Sequence, residues 1–341
     1  MFLLQQSPRM TDFVFDTDRR VFIKRLAGGL ALGVSGLAAC TKPSQAPSTV
    51  PAPAPEPTPA AGSRGRVGEL ETVSLRHASG SSAEIVIQGA HATSWKRANG
   101  DEMLFVSANS RFAPGETIRG GIPVVFPQFG ALGPLPGHGF LKTAMWDVAD
   151  VGRDPTGAVF ALFRTRDTDA TRALWPHSFR ASLRVTLDEA LATAITVENT
   201  GQEAFPFHCG LHTYLRVADL AKVSIEGLEG ATYQDRTARV VERRERRRPV
   251  TIRGEVNRIY MARPGRLRIV DGSRGRAILL DRAGFNDVVV WNPGEEKART
   301  VTGLADGEYL TMLAVEPAQI VPPVQLLPGS LWSGVQRIRV S

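Results

Sequence analysis

Six histidines, at 77, 91, 138, 177, 208 and 212, and two cysteines, at 40 and 209, are the chain's candidates for metal or nucleophilic chemistry. His208 and His212 stand four apart in "HCGLH", a spacing that puts both on one face of a strand or a helix. That pattern is compatible with a metal pair, but no third ligand lies nearby and HExxH is absent, which argues against a metal site. GxSxG, P-loop and strand-following GxGxxG motifs are also missing, so serine-triad hydrolysis and nucleotide chemistry fall away. Glu316 is more informative. It closes the apolar run "MLAV" just before a proline, and a carboxylate there is costly unless paired or functional. Each residue also has a structural reading. His212 suits a satisfied core histidine, Trp291 a core aromatic or a sugar-stacking platform, and Arg119 a loop tie. Cys209 reads as a small buried residue.

The elements that must carry these residues are strands. With 341 residues, 43% hydrophobic and 22% charged, the chain has the balance of a soluble globular protein. "SLRVTLDEALATAITVEN" (182–199) alternates Leu183, Val185 and Leu187, turns at Asp188-Glu189, and resumes with Ile195 and Val197, a hairpin of period two. "SAEIVIQGAHATSWKR" and "GRLRIVDGSRGRAILLDR" read the same way, the second with an Asp-Gly turn. No strand alternates with a long amphipathic helix, so a parallel α/β sheet is excluded. Residues 67–341 are expected to form one all-β domain, a large antiparallel β-sandwich. The basic run "VERRERRRPV" (240–249) is interrupted by Glu242 and Glu245 and has no interleaved aromatics. It reads as a solvated edge or loop, with no nucleic-acid partner.

Ahead of that domain the composition changes twice. Arg19-Arg20-Val21-Phe22-Ile23-Lys24 resembles the twin-arginine export signature. An apolar stretch of about 14 residues follows, too short to span a membrane and of signal-peptide length. Leu37-Ala38-Ala39-Cys40 resembles the lipobox of bacterial lipoproteins, in which the cysteine is lipidated and becomes the mature N-terminus. Residues 1–40 therefore read as a signal segment, with Met10 as an alternative start, and Cys40 as a lipid anchor that ties the chain to a membrane. The competing reading is a short core helix at the start of a cytosolic fold. Residues 41–66, rich in Pro, Ala and Ser, read as a disordered tether of extended character. Lipidated Cys40 would leave Cys209 with no disulfide partner.

Five strings remain: "IRGGIPVVFPQFG" (118–130), "LPGHGFLKTAMWDV" (135–148), "CGLHTYLRV" (209–217) with "GLEGATYQDR" (227–236), "DVVVWNPGEEKA" (287–298) and "LAVEPAQI" (313–320). Together, in order and spacing, they resemble the glucose-6-phosphate 1-epimerase (hexose-6-phosphate mutarotase) family of the galactose-mutarotase-like superfamily. "HTY" with a later strand-end glutamate is shared with ordinary aldose 1-epimerases. "RGGIPVVFP", "HGF" and "VVWNP" resemble the hexose-6-phosphate branch.

The resemblance implies a β-supersandwich and a cofactor-free interconversion of α and β anomers. One group takes the proton of the anomeric hydroxyl while another protonates the ring oxygen; the ring opens, C1–C2 rotates, and closure occurs on the other face. The expected placement is an acid and a base on opposite sides of the sugar ring. Carried over by position, Glu316 matches the general base, His212 the general acid, Asp235 a carboxylate gripping sugar hydroxyls, and Arg119 a phosphate contact. His138, Lys142 and Trp291 complete the expected substrate site. Two departures stand out: Gly137 where the family commonly has glutamine, and Lys142 where it commonly has arginine. Glycine removes a ligand, and lysine lacks the bidentate fork that suits phosphate. The implied phosphate clamp is weakened, with specificity moved toward unphosphorylated or otherwise anionic sugars. Such a drift fits export, because sugar phosphates are cytosolic. The expected partner is a small sugar or sugar phosphate, met by a monomer. The rival readings are an aldose 1-epimerase without phosphate preference and a non-catalytic carbohydrate-binding envelope lipoprotein.

Overall fold

Side-chain alternation sets the architecture. In the computed structural model, which describes residues 61–261 and 265–341, the 182–199 segment forms the expected hairpin of strands Phe179–Leu187 and Leu191–Asn199. The turn is closed by the Ala190 N–H donating to the Asp188 carboxylate at 2.6 Å. Phe179, Ala181, Leu183, Val185 and Leu187 are all buried. Because alternate residues face opposite sides, a slip of one residue would turn this whole set to solvent, at about 1.5–3 kcal/mol for each large side chain. The register is thereby fixed. The other two expected hairpins form as well, Ser82–Val86 with His91–Lys96, and Leu267–Asp271 with Arg276–Ala283.

Among the described residues three antiparallel sheets result, of four, eight and nine strands. Buried side chains from all three, among them Leu75, Phe207, Val290, Val185 and Ile338, merge into one core. Cys209 lies in that core, where burial raises its thiol pKa. Among the described residues the two α-helices, Asp169–Leu174 and Gly294–Ala298, are short connectors. Among the described residues no helix is long and apolar enough to cross a membrane.

The folded chain starts before the expected boundary at Val67. Gly62–Val67 is already a strand, paired along its length with Leu70–Arg76. Backbone hydrogen bonds hold this sheet edge while its side chains stay largely exposed, so no apolar alternation announces it. The signal segment, Cys40 and the tether as far as 60 lie outside the described residues. In the basic run, Val241–Arg244 is an exposed edge strand, as charged edges resist strand addition. Glu245 behaves differently. It is buried, accepts from Arg258 Nη1 at 3.1 Å and from the Tyr260 hydroxyl at 2.8 Å, and so fastens the loop to the sheet.

Candidate active site

One open face of the eight-stranded sheet carries a cleft of about 630 Å³, within the usual range for small-ligand sites. The strand Met312–Leu326 crosses the middle of that sheet between Asp287–Asn292 and Phe205–Leu211. Residues Ala314, Glu316 and Ala318 alternate onto its open face, while Val315 points into the core. Glu316 thus lies beneath the cleft, 1% exposed and flanked by alanines two positions away. His212 follows the Phe205–Leu211 strand, with its N–H donating to the Pro123 carbonyl at 3.0 Å, and it lines the cleft.

His212 Nε2 lies 3.4 Å from Glu316 Oε1. The two side chains are therefore neighbours rather than placed on opposite sides of a sugar as expected, His212 lining the cleft and Glu316 beneath it. Burial pushes the Glu316 carboxyl well above its ordinary pKa. Burial, His138 and Arg119 push the His212 imidazole well below its own. Both shifts disfavour charge, so the pair favours one proton, held on Glu316 beside a neutral His212, rather than two or none.

The imidazole is fixed on several sides. Tyr214, two residues along, stacks on it with ring centroids 4.4 Å apart and planes 6° apart. Its hydroxyl lies 3.4 Å from His212 Nε2. Trp291 stands edge-on to both rings, 6.0 Å from His212 and 6.1 Å from Tyr214, and packs between two small apolar clusters. Trp291 thus packs behind the His212 ring, and neither it nor Glu316 is among the residues that line the cleft.

The cleft wall is formed by two glycine turns. In the first, Arg119 precedes Gly120 and Gly121, both at positive φ. A Cβ on Gly120 would lie 2.2 Å from the Phe105 carbonyl oxygen, so only glycine fits. Arg119 donates through Nε and Nη2 to the Thr302 carbonyl, at 3.2 and 3.1 Å, and through Nη1 to the Tyr214 hydroxyl at 3.2 Å. In the second, Lys142 Nζ donates to the carbonyls of Gly137 and Gly139, at 2.6 and 2.7 Å. His138 sits between them at φ 65°. Its Nδ1 accepts from the Gly130 N–H at 3.3 Å, and burial with Lys142 and Arg119 lowers its pKa to about 4. A neutral ring accepting at Nδ1 carries its proton on Nε2, a donor on a residue that lines the cleft. Gly137 leaves a gap in the wall, because a Cβ there would meet nothing closer than 3.9 Å.

The structure thus brings His212, Glu316, Arg119, His138 and Lys142 together, with Trp291 behind them. Asp235 is not brought there. The cross-strand row through Glu316 runs to Val289, Ile259 and Gln234, whereas Asp235 pairs in the row of Arg258 and Val290. Alternation therefore sets Asp235 on the other face of the sheet, where it accepts from the Thr237 hydroxyl at 2.8 Å. His208 is apart as well. A bulge between Phe207 and Cys209 breaks the register, and its Nδ1 accepts from the Phe129 N–H at 3.3 Å. Sequence reasoning missed Tyr214 and Thr302. Tyr214 was legible as the next same-side residue after His212 in a strand, whereas Thr302 contributes only a backbone carbonyl.

Comparison with known proteins shows which family the chain resembles. The family model described as aldose 1-epimerase matches residues 71–339. A protein of Cenchrus ciliaris provisionally named glucose-6-phosphate 1-epimerase is 37% identical over 273 residues, covering 78% of this chain and 83% of its own. One from Escherichia coli K12, named the same way, is 33% identical over 260 residues, covering 75% and 85%. The crystal structure of a provisionally assigned mutarotase from Salmonella typhimurium superposes with a TM-score of 0.76 at 29% identity, covering 83% of this chain and 94% of that one.

Proposed function

The chain belongs to the aldose 1-epimerase family, and on that premise we propose that it interconverts the anomers of a sugar carrying an anionic group, with His212 and Glu316 as its acid–base pair. The contact of His212 Nε2 with Glu316 Oε1 at 3.4 Å carries this reading. Glu316 takes the proton of the anomeric hydroxyl as the Nε2 proton of His212 passes to the ring oxygen. The C1–O5 bond breaks to give the aldehyde, and C1–C2 rotates. The two transfers then reverse, closing the ring on the opposite face and returning each proton to its origin. No redox change or cofactor is involved. General acid–base assistance of this kind contributes roughly 10²–10⁴-fold for each group.

The anionic group is inferred from Arg119 and Lys142; the third cation of the cleft lining, Arg111, is paired with Glu116 at 3.8 Å. Every bond of Arg119 and Lys142 described above goes to a neutral carbonyl or hydroxyl. Arg119 keeps two of its five N–H groups for a ligand, and Lys142 keeps one of three. That is enough for a phosphate or carboxylate but short of the forked clamp of two arginines. Purified protein should therefore anomerise α-glucose 6-phosphate or α-glucuronate with at least tenfold higher kcat/KM than α-glucose. Equal or better use of α-glucose would contradict the anionic assignment and favour a general aldose 1-epimerase.

We also propose that the chain works outside the cytosol, held by a lipid on Cys40. The support is the order of twin arginines, apolar stretch, Leu37-Ala38-Ala39-Cys40 and Pro-rich tether. In membrane fractionation the wild type should sediment with membranes and Cys40→Ser should not. Finding both proteins in the cytosolic fraction would overturn the location.

A further inference from the structure

The anion-binding arginine and the general acid are physically linked. Arg119 Nη1 donates to the Tyr214 hydroxyl at 3.2 Å, and that oxygen lies 3.4 Å from His212 Nε2. Tyr214 is 2% exposed, so this link runs through protein rather than solvent. We infer that Arg119, acting through Tyr214, couples the charge of a bound anion to the loading of His212 as the general acid. The inference rests on the anomerase reading above and names how its substrate's charge is used. Tyr214 is the positioning residue of this link, since it touches the imidazole and the guanidinium together.

The sign follows from the charges facing His212. Glu316 shares its proton, Tyr214 stacks on one side, and Trp291 is edge-on. His138 and His91 approach as neutral rings, each with its pKa lowered to about 4. Arg119 is therefore the permanent cation acting on the ring, and it opposes the imidazolium. In the empty cleft the shared proton is pushed toward Glu316, the form with neither acid nor base ready. A phosphate or carboxylate on Arg119 cancels that repulsion and moves the proton to His212, leaving Glu316 bare. Each unit by which the imidazole is eased is a tenfold gain in the loaded form. A neutral sugar occupies the cleft without this gain, so discrimination enters kcat as well as KM.

The test uses the full chain and splits the substrate in two. Anomerisation of α-glucose is followed with increasing inorganic phosphate, after subtracting the enzyme-free rate at each phosphate concentration. Wild type should gain tenfold or more and saturate. Arg119→Met should show no such gain. Tyr214→Phe keeps the stacked ring but lacks the hydroxyl; its gain should fall, and phosphate should no longer displace the acidic limb of its pH profile. If glucose 6-phosphate is turned over while phosphate inhibits or does nothing with glucose, the coupling is overturned and the anomerase reading stands. Absence of turnover with either sugar overturns both.

Discussion

Glu316→Gln is expected to lower kcat by about 10³-fold or more while the protein stays folded. Glutamine keeps the shape of the side chain and removes the proton acceptor. Stability should hold or rise, because burial already holds the Glu316 carboxyl well above its usual pKa. A carboxyl so shifted costs the folded chain stability at every pH above its ordinary value, because the unfolded chain ionises it freely. The neutral amide removes that penalty. Loss of activity with an unchanged or higher Tm separates a functional carboxylate from a structural one, whose replacement would lower Tm. Retention of more than about a tenth of wild-type activity would take Glu316 out of the base role.

His212→Asn should cost a similar 10²–10⁴-fold, mostly in kcat, since the imidazole acts in the transition state more than in binding. The double variant with Glu316→Gln should be hardly slower than either single one. Two groups that share one proton across 3.4 Å work as a unit, and removing the second partner of a broken unit changes little. Losses that multiply would mean independent roles. Wild-type activity should also be level across neutral pH, because burial disfavours both the doubly protonated and the bare form of the pair. A steep limb at the ordinary histidine value would indicate a solvated imidazole instead.

Much of this was legible before any coordinates, for identifiable reasons. Strands buried on one face write their register in alternation, so the 182–199 hairpin is readable from Leu183, Val185, Ile195 and Val197. Glu316 was legible because a carboxylate closing an apolar run has few bland explanations. The strand Gly62–Val67 was not, since an edge held by backbone bonds with exposed side chains carries no apolar pattern. Asp235 illustrates a different limit. Its neighbours in sequence suggested the cleft, but a strand turns adjacent residues to opposite faces, and the row of Glu316 passes through Gln234 instead. Separation along the chain hid the rest. Arg119 meets Thr302 across 183 positions, through a carbonyl that any residue type could supply. The closeness of His212 and Glu316 was likewise invisible.

The central claim is that this pair opens and closes a sugar ring by exchanging protons with it. The most direct measurement is exchange NMR on the α and β anomers of glucose 6-phosphate, with a catalytic amount of the chain in a non-phosphate buffer. The account predicts interconversion far above the enzyme-free rate with wild type, and a rate near the buffer's with Glu316→Gln. Interconversion at the buffer rate, in the presence of wild-type protein that demonstrably binds the sugar, would contradict it.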